Sequence, residues 1–389
     1  MCVAAALSWQ PAGCQHPQMR ACLRTRLGSR NGCSWWVEQH PRKFGDVLTT
    51  IGVVIETFSA ASAVELAVVE RSGFVESRHV GSAVLVDPEG EVVLALGDAS
   101  TPIFPRSTLK FFQAIASLNS GAVLTEEQVA IAAASHGGTA RHVALVREIL
   151  ASVGLDDRAL GCPPDWPLDR AARDQLVRAG EQKQPVCMNC SGKHAAMLAA
   201  CVAQGWPLES YLDPEHPLQQ QVREVIERLT TERPAASGVD GCGAPVHAIS
   251  LTALARGVAR VRTANPSSPF ALFRNASRVA QAMLAHPWAV DGPGRPNTIV
   301  IEELGVIAKT GAEGVIVMAA EDGTTAAVKI LDGSPRALTL VGLQLLVTAG
   351  KVAVADVQAL VPRLELEVFG RGAQVGAIRI GKDVPLTLA

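Results

Sequence analysis

Lysine is scarce in this chain, with eight lysines against 27 arginines, and three of the eight stand beside a hydroxyl or a thiol. They are Lys110 in Ser107-Thr108-Leu109-Lys110, Lys193 in Cys190-Ser191-Gly192-Lys193, and Lys309 in Lys309-Thr310-Gly311. A guanidinium keeps its proton at any usable pH, whereas an ammonium gives it up once it is desolvated or set beside another cation. A site that needs a neutral amine, as base or metal ligand, must therefore keep lysine. Ser107 and Lys110 are three residues apart at the start of an apolar helix, a spacing that turns both side chains the same way. A serine hydroxyl becomes a nucleophile when a neighbour takes its proton, and a buried lysine can be that neighbour.

Other short stretches carry chemistry of their own. Ser135-His136-Gly137-Gly138 lies between two predicted helices. It reads as a helix terminator before the Thr139 cap, or as a second site hydroxyl with backbone N–H groups open to an oxyanion. Cys187 and Cys190, with a distant cysteine and His194, could close a zinc site. Cys190, Lys193 and Cys242 could form one too, if the lysine is neutral, and free thiols are the plain alternative. Asp240 beside Cys242 would be a neighbour of the metal, an anchor for a substrate amine, or a turn residue. Arg295, in Gly292-Pro293-Gly294-Arg295, belongs to a surface loop and could hold a carboxylate.

These residues need a frame. Of 389 residues 48% are apolar and 4% aromatic, so a large core must be built from Ala, Val and Leu. A net charge of −2 leaves no basic footprint for nucleic acid or an acidic membrane. No apolar run approaches the ~18 residues of a transmembrane helix. Residues 1–60 hold four of nine cysteines and three of six tryptophans without a clean period. They are read as a disordered or artefactual extension, with 61–389 as the functional domain. The other five cysteines fit a reducing cytoplasm.

Strands are predicted at 63–70, 79–86 and 91–95. Helices follow at 107–119, 125–134 (capped by Thr125), 139–152, 168–179, 192–203, 217–230, 250–262 and 269–285. Strands return at 298–302, 306–309, 314–319 and 325–330, then a helix at 335–349 and a strand at 375–380. Strands at both ends of a helical middle give an α+β fold, with the first and last strands pairing in one antiparallel sheet. Two lobes with the site at their seam are expected. Ser-x-x-Lys on a helix with Lys-Thr-Gly on a flanking strand is also the layout of serine β-lactamases and penicillin-binding proteins.

Six ordered stretches, at 71–81, 106–110, 135–137, 189–194, 240–243 and 308–311, together resemble the rhizobial-type L-asparaginase family, also called asparaginase II. The resemblance spans about 64–380. It implies a cytoplasmic homodimer that splits L-asparagine into aspartate and ammonia, on a fold similar to that of the serine β-lactamases. It further implies two serine–lysine pairs, Ser107 with Lys110 and Ser135 with Lys309. A zinc ion on Cys190, Lys193 and Cys242 would lie near the reacting serines, with Cys187 a bystander. Arg106, His136 and Asp240 are the expected substrate contacts. The stretch 294–298 departs from the family pattern, which carries an acidic residue there.

The expected reaction is acyl transfer to water. Ser107 attacks the amide as Lys110 takes its proton, while Ser135 and Lys309 relay protons or stabilise the intermediate; the two serines could also exchange roles. Two rivals stand beside it: a Ser–Lys enzyme acting on another amide, cyclic or peptide, and a silent zinc-stabilised homologue.

Overall fold

The computed structural model describes residues 55–387. The expected extension over 1–60 lies outside the described residues as far as residue 54, and Phe58, four residues on, is buried in the core. The chain opens with strands β1 (Val64–Arg71), β2 (Phe74–Val86), β3 (Val92–Leu96) and β4 (Pro102–Ile103). A 3-10 turn at Arg106–Leu109 leads into helices α1 (Lys110–Asn119), α2 (Glu126–Ala132), α3 (Ala140–Ser152), α4 (Arg170–Arg178), α5 (Ser191–Gln204) and α6 (Pro217–Thr230). The hairpin β5 (Ala236–Val239) and β6 (Pro245–Ser250) precedes α7 (Leu251–Arg262), α8 (Ala271–Ala285), α9 (Pro287–Val290) and α10 (Pro296–Leu304). Then come β7 (Ile307–Gly311), β8 (Val315–Ala319), β9 (Thr325–Ile330), α11 (Leu338–Thr348), α12 (Val354–Leu360), β10 (Glu367–Gly370) and β11 (Ala373–Ile380).

The expected α+β class is observed. One antiparallel sheet runs β10-β11-β1-β2-β9-β8-β7, with β3 beside the second half of β2. Its first and last strands do pair, Ala67 opposite Ile380 and Arg71 opposite Gly376. Every residue of β8 and β9 is buried, although successive side chains point to opposite faces, so both faces of the sheet centre are covered. Helices α7 and α11 pack on these strands. In the helical part α1 is central: Lys110 through Leu118 are all buried, against α5, α6 and α8.

Residues 298–302 correct the sequence reading. Thr298-Ile299-Val300-Ile301 looks like a strand by β-branching, yet it lies inside α10. Pro296 at the first helical position and Gly305 in a left-handed C-terminal cap delimit that helix, and burial of one apolar turn outweighs a small propensity cost. Strands β4, β5 and β6, not expected from sequence, form a separate three-stranded sheet. Its β5–β6 turn carries both Asp240 and Cys242.

Candidate active site

Two lysines, one from α1 and one from β7, converge on the hydroxyl of Ser135. Lys110 is the first residue of α1, and its ammonium leaves its own helix to donate to the Ala134 carbonyl, to Ser135 Oγ (3.0 Å) and to the Asn189 carbonyl (3.3 Å). Lys309, on β7, donates to Ser135 Oγ (2.8 Å) and to the Thr310 carbonyl (2.6 Å). Both lysines are almost wholly buried. Burial, and next the Lys110 charge, push the Lys309 amine down to about 7, against the pull of the Asp291 carboxylate. A neutral amine beside a serine is thereby within reach at ordinary pH.

The loop holding Ser135 is fixed by its backbone. Ser135 N–H donates to the Val290 carbonyl (3.0 Å), His136 N–H to that of Asn189 (3.2 Å), and Asp169 N–H to that of Gly137 (2.8 Å). His136 is fully buried, its Nδ1 accepting from Gly138 N–H (3.1 Å) and its Nε2 2.9 Å from Ser191 Oγ. Ser191 Oγ donates onward to the Val186 carbonyl, so His136 Nε2 carries the proton. Burial drives the His136 pKa well below the usual histidine range. Its side chain thus supports the loop, and the substrate contact expected of it has no free polar atom to make it. The expected row of open N–H groups is likewise reduced. Those of Ser135, His136 and Gly138 are taken, and Gly137 keeps the one without a protein partner in this loop, among the described residues.

Ser107 sits in the 3-10 turn, half-buried, beside β7. A Cβ built on Gly311 would lie 2.5 Å from the Pro105 carbonyl oxygen and 3.4 Å from Ser107 N, so the turn and the strand touch backbone to backbone. The expected Ser107–Lys110 pairing is not made. Lys110 donates its backbone N–H to the Ser107 carbonyl but sends its ammonium to Ser135. Arg106, just before Ser107, adopts a left-handed φ of 55° and binds Asp240 through Nε (2.8 Å) and a terminal nitrogen (2.7 Å). Burial alone would raise the Asp240 pKa; Arg106 and then Lys193 hold it below the usual range.

The cysteine cluster adjoins Asp240. Lys193 Nζ lies 3.0 Å from Cys242 Sγ, and Cys190 Sγ lies 3.2 Å from Asn189 Oδ1. The neighbouring Cys242, with Lys110 and Lys193 nearby, holds Cys190 well below the usual thiol range despite burial. Two sulfurs and an amine are buried at one place, a donor set that would hold zinc only with Lys193 deprotonated; burial favours the neutral amine, but Cys242 and Cys190 raise its pKa overall. Among the described residues no three His, Cys, Asp or Glu side chains group around a metal position, so Lys193 would have to be the third ligand. Cys187 is buried away from this set, next to Arg147 and Asp157.

A family model for L-asparaginase II matches residues 67–380. The chain belongs to the L-asparaginase II family. No curated protein matches the sequence. Similar solved structures include Mglu in its native form (16% identity, TM-score 0.37, 68% of this chain and 63% of that one). A β-lactamase from Mycobacterium bovis aligns at 14% identity and TM-score 0.36, over 74% of this chain and 95% of that one. A Bacillus glutaminase aligns at 14% and 0.36, over 68% and 88%. The chain thus spans about six tenths of the length of the Mglu structure.

Within this family member, sequence reasoning missed a polar group behind Lys309. Asp291 is buried and accepts from Arg295 Nε (2.6 Å) and Asn297 Nδ2 (3.0 Å), and Asn297 Nδ2 also donates to Thr310 Oγ1 (2.8 Å). Arg295 does hold a carboxylate, that of Asp291 in its own chain. Tyr211 was missed too: it accepts from Gly161 N–H (2.8 Å) and lies 2.6 Å from Nδ1 of His194, which the sequence offered only as a zinc ligand. A single tyrosine in 389 residues was the available signal.

Proposed function

We propose that this protein hydrolyses L-asparagine to L-aspartate and ammonia through a serine–lysine acyl-enzyme. The observation that carries the reading is the convergence of two buried lysines on Ser135 Oγ, one of them with a pKa brought down to about 7. Lys309 in its neutral form takes the Ser135 proton as Oγ attacks the side-chain amide carbon. The proton passes to the departing nitrogen, which leaves as ammonia. Water then attacks the ester, giving one proton to Lys309, and the serine recovers it as aspartate departs. Lys110 holds Ser135 Oγ in place and adds positive potential where the oxyanion forms. Arg106 and Asp240, paired in the free protein, offer one cation and one anion to the carboxylate and ammonium of an amino acid. Zinc on Cys190, Lys193 and Cys242 would supply a Lewis-acidic centre next to Asp240, and those residues would tie the β5–β6 turn to α5. The acting form is proposed to be a cytoplasmic homodimer.

A second reading keeps Ser107 as the nucleophile. The left-handed Arg106 immediately before it favours this, since strained backbone gathers at functional positions. The test is ammonia release from L-asparagine, with L-glutamine in parallel, for wild type, Ser135→Ala and Ser107→Ala, together with mass spectrometry of the quenched reaction. An aspartyl mass on the peptide holding Ser135 supports the first reading; the same mass on Ser107 supports the second. Wild-type protein that releases ammonia from neither amide sinks the asparaginase reading.

A further inference from the structure

The segment Val290–Asp291 touches both halves of the site. Its Val290 carbonyl accepts from Ser135 N–H, and its Asp291 carboxylate accepts from both the backbone N–H (3.4 Å) and the side-chain amide (3.0 Å) of Asn297. The carboxylate can only accept, so it fixes which way the Asn297 amide faces: nitrogen toward Asp291 and Thr310, oxygen away. That oxygen, Asn297 Oδ1, is buried without a partner, which a freely turning amide would avoid. Asn297 is 1% exposed and Asp291 5%, so neither is there to meet solvent. Thr310, held by the Asn297 amide, gives its carbonyl to Lys309 Nζ. The chain of contacts therefore runs Asp291, Asn297, Thr310, Lys309, Ser135.

We infer that Asp291 and Asn297 are positioning residues for this reaction: Asp291 fixes the orientation of the Asn297 amide, and Asn297 carries that hold through Thr310 to the strand that presents Lys309. The inference rests on Lys309 acting as the base in the reading above. The groups acting on Lys309 are Lys110 from α1, Cys190 at the start of α5, and Asp291 and Arg295 from the segment before α10. On the other elements packed against β7, strand β8 has no charged residue, Arg106 of the 3-10 turn is paired with Asp240, Glu302 and Glu303 of α10 face solvent, and Arg278 of α8 is paired with Glu126. Asp291 favours the ammonium, so removing its charge should lower the Lys309 pKa and move the acid limb of activity to lower pH.

The test uses protein labelled with 15N-lysine, in which eight lysines keep the spectrum simple. Lys309 is titrated by NMR in wild type and Asp291→Asn, an isosteric change, and the kcat pH profile is recorded for both. Asn297→Ala cuts the link to Thr310 and leaves the carboxylate. Support is a lower Lys309 midpoint in Asp291→Asn with an acid limb shifted equally, and an Asn297→Ala protein with native melting temperature, kcat reduced at least about tenfold and KM within about twofold. An unmoved midpoint, or wild-type kcat in Asn297→Ala, overturns the inference. If wild type cleaves no amide, the proposed reaction fails while the NMR comparison still decides whether Asp291 governs Lys309.

Discussion

At the scale of single residues, the site separates two lysines that look alike in sequence. Lys110 and Lys309 both reach Ser135 Oγ, but only Lys309 ends on a strand with a carboxylate network behind it. With Lys309 brought to about 7, the amine is protonated and idle below that pH and free to accept a proton above it. kcat/KM for L-asparagine is therefore expected to rise with pH through about 7. Lys309→Arg keeps the charge but cannot deprotonate, so it should lose roughly a hundred- to ten-thousand-fold in kcat and the acid limb with it. A profile with the same limb in Lys309→Arg assigns the titration to another group. Ser135→Ala should cost about a thousandfold or more in kcat, read by ammonia release.

At the scale of elements, the site depends on how closely backbone segments approach. Gly311 lets β7 rest against the 3-10 turn that bears Ser107; a Cβ there would press on the Pro105 carbonyl oxygen at 2.5 Å. Gly311→Ala should therefore push the turn from the strand and lower kcat/KM by about a hundredfold with the circular dichroism spectrum unchanged. Undiminished activity would mean the turn adapts without cost to the site. Helix α2, which delivers Ser135, starts at a capping box: Thr125 Oγ1 accepts from Gln128 N–H (3.4 Å), and Gln128 Oε1 accepts from Thr125 N–H (3.0 Å). Thr125→Ala should destabilise the protein by about 1 kcal/mol in urea unfolding. The cap at Thr125 was legible because the threonine precedes two glutamates and an apolar run. Strand β5 was not legible, since four residues, two of them Ser237 and Gly238, carry no usable alternation.

At the scale of the whole molecule, the helical middle is closed on a sheet made from both ends of the described chain, and the cysteine cluster ties the β5–β6 turn to α5. If zinc occupies Cys190, Lys193 and Cys242, metal analysis of untagged protein should find about one zinc per chain, and chelation should lower the melting temperature. Cys242→Ser that keeps full metal content would remove Cys242 from the ligand set. Light scattering of the purified protein checks the proposed dimer. Among the described residues no helix is long and apolar enough to cross a membrane.

The sequence by itself determined the α+β class, the order of most elements, and the short motifs that carry the candidate site side chains. Those follow from local rules: apolar periodicity, caps, and the scarcity of lysine. Tertiary structure alone decided the partners. Lys110 is three residues from Ser107 and 25 from Ser135, yet its amine meets the second, because α1 starts where the α2 and α5 connections leave carbonyls to be satisfied. Asp291 and Asn297 were invisible for the same reason. Their value lies in a chain of contacts, Asp291 to Asn297 and Asn297 to Thr310 across 13 residues, a relation that no local pattern encodes. Residues 298–302 show the converse, where a strand-like run became α10 once Pro296, Gly305 and the packing of its apolar side chains were weighed together.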